Sequence, residues 1–260
     1  MKLVDVHCHL DKDFFGEDVE DVINRCRKNN CLAFPVGITP ITNRYVLKLQ
    51  KKYPDVVYPC LGIYPPDALK KELEEKDNSE DLEYDIDKEL KFIEDNADKI
   101  VAIGEVGMDA KDGTDLESQE KIFRKTIELA IKLDKPLVIH SRKMEMKVID
   151  ILEEYKFKKI VMHCFGGKHS QVKRIRANKW YFSIPTNIVR DQHFQKIVKE
   201  TPLSQLLTET DSPFLSPFKD IRNEPIYVIE TIKMISKIKN LPELDVATLI
   251  RRNVTHLFGV

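Results

Sequence analysis

The chain has 260 residues, 42% hydrophobic and 33% charged, a globular balance with enough apolar material for one barrel-sized domain, which excludes collagenous or disordered character. A formal net charge of -1 excludes a protein that coats nucleic acid through a globally basic surface, so phosphate recognition must be local. The five cysteines (Cys8, Cys26, Cys31, Cys60, Cys164) are odd in number and lack C-x-x-C spacing, which points away from a disulfide framework or zinc ribbon and toward a reducing cytoplasm.

Met1 leads directly into LVDVHCHL with no basic and apolar leader pattern, so secretion is not expected. Charged residues interrupt every apolar run before the ~20 residues of a membrane span. Short β-branched apolar runs then recur, each followed by a segment of helical period. The expected strands are Lys2 to Val6, Cys31 to Val36, Val56 to Gly62, Ile100 to Ile103, Pro136 to Ile139, Lys159 to Met162, Trp180 to Ile184 and Gln205 to Thr208. Between them, apolar positions three and four apart predict helices over Asp18 to Asn29, Asn43 to Lys52, Asp85 to Asp95, Glu117 to Leu133, Met144 to Tyr155 and Ser170 to Ala177. Two further helical patterns, Pro225 to Lys237 and Asp245 to His256, follow the eighth strand, while the charge-dense Lys70 to Asp85 reads as a solvated helix and loop. Eight strand and helix units without a dividing linker or a Gly-rich phosphate loop predict an α/β chain folded as a single (β/α)8 TIM barrel over residues 1–260.

His7 and His9 are two apart on a strand and share a face, which at a barrel strand end can point into the mouth. Alone, such a pair is as well explained by polar strand-end histidines. His140 closes KPLVIH and His163 follows KIVM, so four of seven histidines fall where strand ends meet the mouth. His169, His193 and His256 fall in helices or loops and read as surface residues. Glu105 after IVAIG and Asp211 after LLTET add two carboxylates at strand ends, where burial demands a charge partner. Imidazole with carboxylate suits zinc, manganese, iron or cobalt, whereas magnesium alone more often meets carboxylates and water. Six ligands exceed what one catalytic ion with an open position needs. A pair of divalent ions, zinc, manganese or magnesium, is therefore expected, with His7, His9 and Asp211 toward one, His140 and His163 toward the other, and Glu105 bridging. Asp211 is then the candidate to orient a water and accept its proton.

These residues lie in VDVHCHLD, GEVGMD, KPLVIHSR, MHCFGG, TETDSPFLSP, RNEP and the closing NVTHLFG, an ordered set over nearly the whole chain. In this the chain resembles the TatD family of metal-dependent deoxyribonucleases within the amidohydrolase superfamily. The resemblance implies a metal-activated water that cleaves DNA phosphodiester bonds from a strand end, of the 3'-5' exonuclease type, with DNA as the partner and Glu105 and Asp211 as catalytic residues. An alternative implied by relatives is ester hydrolysis at the same kind of centre, as in D-aminoacyl-tRNA deacylation. Where relatives read G-x-H-P, this chain has Gly62-Ile63-Tyr64-Pro65, so Tyr64 is a neutral hydrogen-bonding candidate for substrate contact. Arg142, two residues past His140, is a candidate phosphate clamp. Arg222 and Asn223 are expected to help from the loop beyond the eighth strand. Lys143 stands where relatives often carry an acid and reads as a surface lysine. The superfamily branch that bridges its metals with a carboxylated lysine is disfavoured by Glu105.

Overall fold

A computed structural model describes residues 1–74 and 84–260. The buried apolar runs pair in the order they are made: β1 (Leu3–Cys8), β2 (Cys31–Gly37), β3 (Cys60–Ile63), β4 (Ala102–Gly107), β5 (Leu137–His140), β6 (Ile160–Met162), β7 (Tyr181–Ile184) and β8 (Leu206–Thr208) form one sheet whose neighbouring strands are parallel. Parallel neighbours require crossovers, supplied here by helices. After β1 come α1 (Lys12–Phe15) and α2 (Val19–Lys28), after β2 α3 (Pro40–Lys52), and after β3 α4 (Pro66–Glu74) and α5 (Ile86–Asp95). Then α6 (Leu116–Leu133), α7 (Glu145–Tyr155), α8 (His169–Ala177) and α9 (Gln192–Glu200) alternate with the later strands, before α10 (Val228–Lys239) and α11 (Glu243–Phe258). The result is the expected (β/α)8 barrel. The charge-dense segment is helical in α4 as far as Glu74 and resumes at Tyr84 before α5; between them it lies outside the described residues.

Element edges differ from the sequence expectation for local reasons. α3 begins three residues before Asn43, because Thr39 caps it, accepting from Thr42 N at 3.2 Å, and Pro40 supplies a preset first-turn φ. β1 and β4 run past Val6 and Ile103, so His7 and Glu105 lie within strands rather than beyond them. α9 is an additional helix whose Phe194, Ile197 and Val198 pack inward.

Two apolar layers position the mouth. One strand face, including Leu3, Ala33, Ile103, Leu137 and Ile160, packs against helix residues such as Ile23, Phe123, Ile149 and Ile232. The other face joins Val4, Val6, Phe34, Val36, Cys60, Ala102, Val138, Val161 and Leu207, the barrel interior, which Leu257 and Phe258 of α11 also enter. Val4 and Val6 are interior, yet Cys8 belongs to the outer layer; likewise Ala102 is interior and Val106 outer. Strict alternation would leave His7 and Glu105 on the outer face. Ladder irregularities between Asp5 and Cys8 and between Ile103 and Val106 reverse the parity and turn both side chains inward.

The barrel closes between β8 and β1 through a mixed seam. Thr208 Oγ1 donates to Val4 O at 2.6 Å, and the fully buried Asp5 carboxylate accepts from Thr210 N at 2.8 Å and from the Thr210 hydroxyl. Beyond them Asp211 N donates to His7 O at 2.9 Å and His9 N to Ser212 O at 2.8 Å. Chain closure and site assembly thus share the same bonds.

Candidate metal centre

The side chains of His7, His9, Glu105, His140, His163 and Asp211 converge at one end of the barrel, delivered by β1, β4 and β5 and by the residues just beyond β1, β6 and β8. Gly107 permits the close approach of two of their strands. It has φ +149°, and a Cβ there would lie 1.9 Å from the His140 carbonyl oxygen.

The six groups sort themselves around the two oxygens of Glu105. Oε2 lies 3.5 Å from His7 Nε2 and 3.9 Å from His9 Nε2; these nitrogens are 3.3 Å apart and lie 3.5 and 3.4 Å from Asp211 Oδ1. Most of these separations are longer than ordinary N–H···O bonds. Four of the five match the roughly 3.3–3.6 Å edges of a tetrahedron of ligands set about 2.0–2.2 Å from a divalent ion, and the fifth, His9 to Glu105 at 3.9 Å, is longer. The donor set therefore fits a metal on this observation. Oε1 faces the other way, 2.6 Å from His140 Nδ1 and 3.7 Å from His163 Nε2. Of three groups among the described residues that could hold an ion, two, His7 with His9 and Asp211, and Glu105 with His140 and His163, are thus joined by one carboxylate; the third is His7 with His163 and Glu209.

Two of the four imidazoles, those of His163 and His140, are held from behind by carboxylates, whereas the Nδ1 atoms of His7 and His9 are buried without a partner. His163 Nδ1 is 2.8 Å from Glu209 Oε2, and this fully buried carboxylate also accepts from Cys164 N at 2.9 Å and from the Ser183 hydroxyl. The His163 ring stacks on His7 with centroids 3.7 Å apart. His140 Nε2 is 2.8 Å from Asp109 Oδ2, which also accepts from the Tyr64 hydroxyl at 3.0 Å, while Oδ1 accepts from Lys111 N and Asp112 N. Such partners fix ring orientation and raise ligand basicity.

Burial by itself would push the Glu105 and Asp211 carboxyls up. The imidazoles outweigh it: His140 and His163 hold Glu105, and His7 and His9 hold Asp211, well below the usual carboxylate range. Asp109 is likewise held to about 2, since its bonds to His140 and to backbone N–H groups outweigh burial. All three are ionised at neutral pH, the form a cation requires. Asp211 also sits at φ +55°, a left-handed conformation that Asp tolerates better than most side chains.

A cavity of about 420 Å³ opens over the cluster, lined by His9, Glu105, His140, His163 and Asp211 together with Tyr64, Arg142, Glu145 and an apolar wall. Arg142 reaches it with its side chain 41% exposed and Nη1 3.1 Å from Asp112. Tyr64 lines it too, with its hydroxyl directed to Asp109 and 3.3 Å from His140 Nε2. Arg222 and Asn223 are not brought there. The Arg222 guanidinium pairs with Asp18 at 2.7 Å and lies over the Phe15 ring, and Asn223 is fully buried with Nδ2 bonded to Thr186 Oγ1, Thr210 O and Phe214 O. Asn223 braces the loop after β8 instead of facing a ligand. His193 is half-buried with Nε2 3.0 Å from Phe165 O, not a free surface residue; His169 pairs with Glu200, and His256 is exposed.

Sequence reasoning missed Asp109 and Glu209. Both lie within four residues of a named cluster member, inside GEVGMD and TETDSP. A second carboxylate that close to a strand-end ligand is the signal that identifies such supports.

A (β/α)8 barrel carrying histidines and a shared carboxylate at its mouth defines a metal-dependent hydrolase that uses a divalent cation. The chain belongs to the TatD related DNase family, whose model matches residues 4–259. It is 34% identical to human deoxyribonuclease TATDN3, covering 98% of this chain and 94% of that one, and 35% identical to an uncharacterized metal-dependent hydrolase of Methanocaldococcus jannaschii, covering 99% and 97%. In fold it matches the Escherichia coli TatD homologue YjjV with a TM-score of 0.83 at 22% identity, over 99% and 98% of the two chains. Among the described residues no helix is long and apolar enough to cross a membrane.

Proposed function

We propose that the chain, acting as one unit over residues 1–260, is a nuclease that hydrolyses DNA phosphodiester bonds from a strand end in the 3'-5' direction, using two divalent ions. The observation that carries this reading is the division of Glu105, whose Oε2 faces His7 and His9 while Oε1 faces His140 and His163. His7, His9 and Asp211 would hold one ion and His140 and His163 the other, with Glu105 shared. When bound, the ions supply Lewis acidity toward a phosphoryl oxygen and make water acidic enough to attack near neutral pH.

The chain's own residues do the rest. The ionised Asp211 carboxylate accepts a proton from the attacking water, and Glu105 keeps the two halves of the site in register. Arg142, at the cavity wall, offers a planar pair of N–H groups to a non-bridging phosphate oxygen. Tyr64 acts on substrate indirectly, through Asp109 and His140. The names of the deoxyribonuclease relatives support DNA as the substrate. Five free cysteines, four of them buried, support a cytoplasmic location.

Purified protein supplied with manganese or magnesium is expected to shorten end-labelled single-stranded DNA, to lose that activity with chelator, and to lose it in Glu105→Ala. The same panel includes RNA and aminoacyl-tRNA. Release of an amino acid from intact nucleic acid, with no shortening of DNA, would replace the nuclease by an ester hydrolase.

A further inference from the structure

The cavity is not polar throughout. Phe14, Ile38, Leu69, Phe214 and Leu215 line it along with the charged cluster. Phe214 is 39% exposed and lines the cavity beside the buried charged cluster. Its ring meets Phe14 edge to face at 5.2 Å, and the two lie 6.4 and 6.3 Å from the His9 ring. The apolar wall therefore begins within one ring's width of the cluster.

The exposure is built into the backbone. Phe214 N donates to Asp211 O at 2.9 Å, Phe214 O accepts from Asn223 Nδ2 at 2.6 Å, and Thr186 Oγ1 donates to Leu215 O at 2.8 Å. Asn223 and Thr186, both fully buried, thus fix the loop that holds the ring at the mouth. Phe218, four residues on and equally exposed, packs against Tyr227 and does not line the cavity.

We infer that Phe14 and Phe214 form a nucleobase site, which receives the face of the base attached to the nucleotide being cleaved. This rests on the nuclease reading and deepens it. A phosphodiester bound at the cluster beside Arg142 carries its sugar and base at a distance of a few bonds, which is where the aromatic wall stands. Every base has a π-face, so stacking on such a wall is tolerant of sequence but requires an unstacked, unpaired base. The site thereby selects single-stranded or frayed ends over blunt duplex, whose terminal pair must first open.

The test uses full-length, metal-loaded protein and single-stranded oligonucleotides ending in 2-aminopurine, whose fluorescence is quenched on stacking. Wild type is expected to quench the terminal 2-aminopurine on binding and to cleave it. Phe214→Ala is expected to lose that additional quench and to raise KM roughly 5- to 150-fold, the effect of removing one stacking partner, with the loss in KM rather than kcat. Phe214→Tyr retains a ring and restores both, Phe214→Leu does not, and Phe218→Ala behaves as wild type. Unchanged KM and quench in a folded Phe214→Ala that still cleaves the oligonucleotide overturn the base site and leave the nuclease reading intact. A wild type that cleaves no nucleic acid overturns both.

Discussion

Tyr64, the residue that departs from the G-x-H-P pattern, directs its hydroxyl to Asp109 and so acts on the machinery before it acts on a ligand. A neutral O–H can donate to that carboxylate at neutral pH without adding a charge beside His140, whose own pKa is pushed up to about 9 because Glu105 and Asp109 outweigh its burial. Asp109→Asn is accordingly expected to weaken metal affinity by about 10- to 100-fold, measured by calorimetric titration with manganese. Tyr64→Phe leaves Asp109 in place and is expected to cost about 0.5–1.5 kcal/mol, the usual net worth of one hydrogen bond. Equal affinities in wild type and Asp109→Asn would remove Asp109 from the site. His7, His9, Glu105, His140, His163 and Asp211 were legible as a set because each closes or follows an apolar run. Arg222 was not legible: only the folded chain shows Asp18, 204 positions away in sequence, taking its guanidinium.

At the scale of elements, the strands were legible in number and order because β-branched runs announce themselves, but their ends and local parity were not. Alternation from Val4 and Val6 places His7 on the outer face, and only the ladder irregularity before Cys8 turns it inward. A similar dependence holds β3 against α3. Asn43, fully buried on α3, accepts from Gly62 N at 3.2 Å and donates to Gly62 O and to Glu89 Oε1, both at 2.9 Å. Its amide does the work of a missing strand partner. Asn43→Ala leaves a buried N–H and C=O unpaired and is expected to destabilise the fold by about 1–3 kcal/mol, read as a lowered urea midpoint. A change under ~0.5 kcal/mol would mean that these groups find other partners.

For the whole molecule, closure depends on burial, and burial also sets how stability responds to alkali. Cys60, fully buried in the barrel interior, has its thiol pushed up to about 12 by desolvation, and Cys8 moves the same way. An unfolded thiol titrates near ~8.5. Above that pH the unfolded chain releases a proton that the folded chain keeps, so stability that is complete at lower pH falls as pH rises toward 12. Each such thiol contributes about 1.4 kcal/mol per pH unit in that window. Urea midpoints for wild type and Cys60→Ala are therefore expected to converge between pH 8 and pH 10; parallel declines would show that Cys60 takes no part. The sequence by itself determined the α/β class, the eight-strand order and the six residues of the cluster, because hydrophobic period and strand-end chemistry are local properties. Only the tertiary structure decided which atoms face which. The split of Glu105, the bracing of His140 by Asp109 and of His163 by Glu209, and the aromatic wall all depend on side chains brought together across a closed barrel, whose separations no local pattern records.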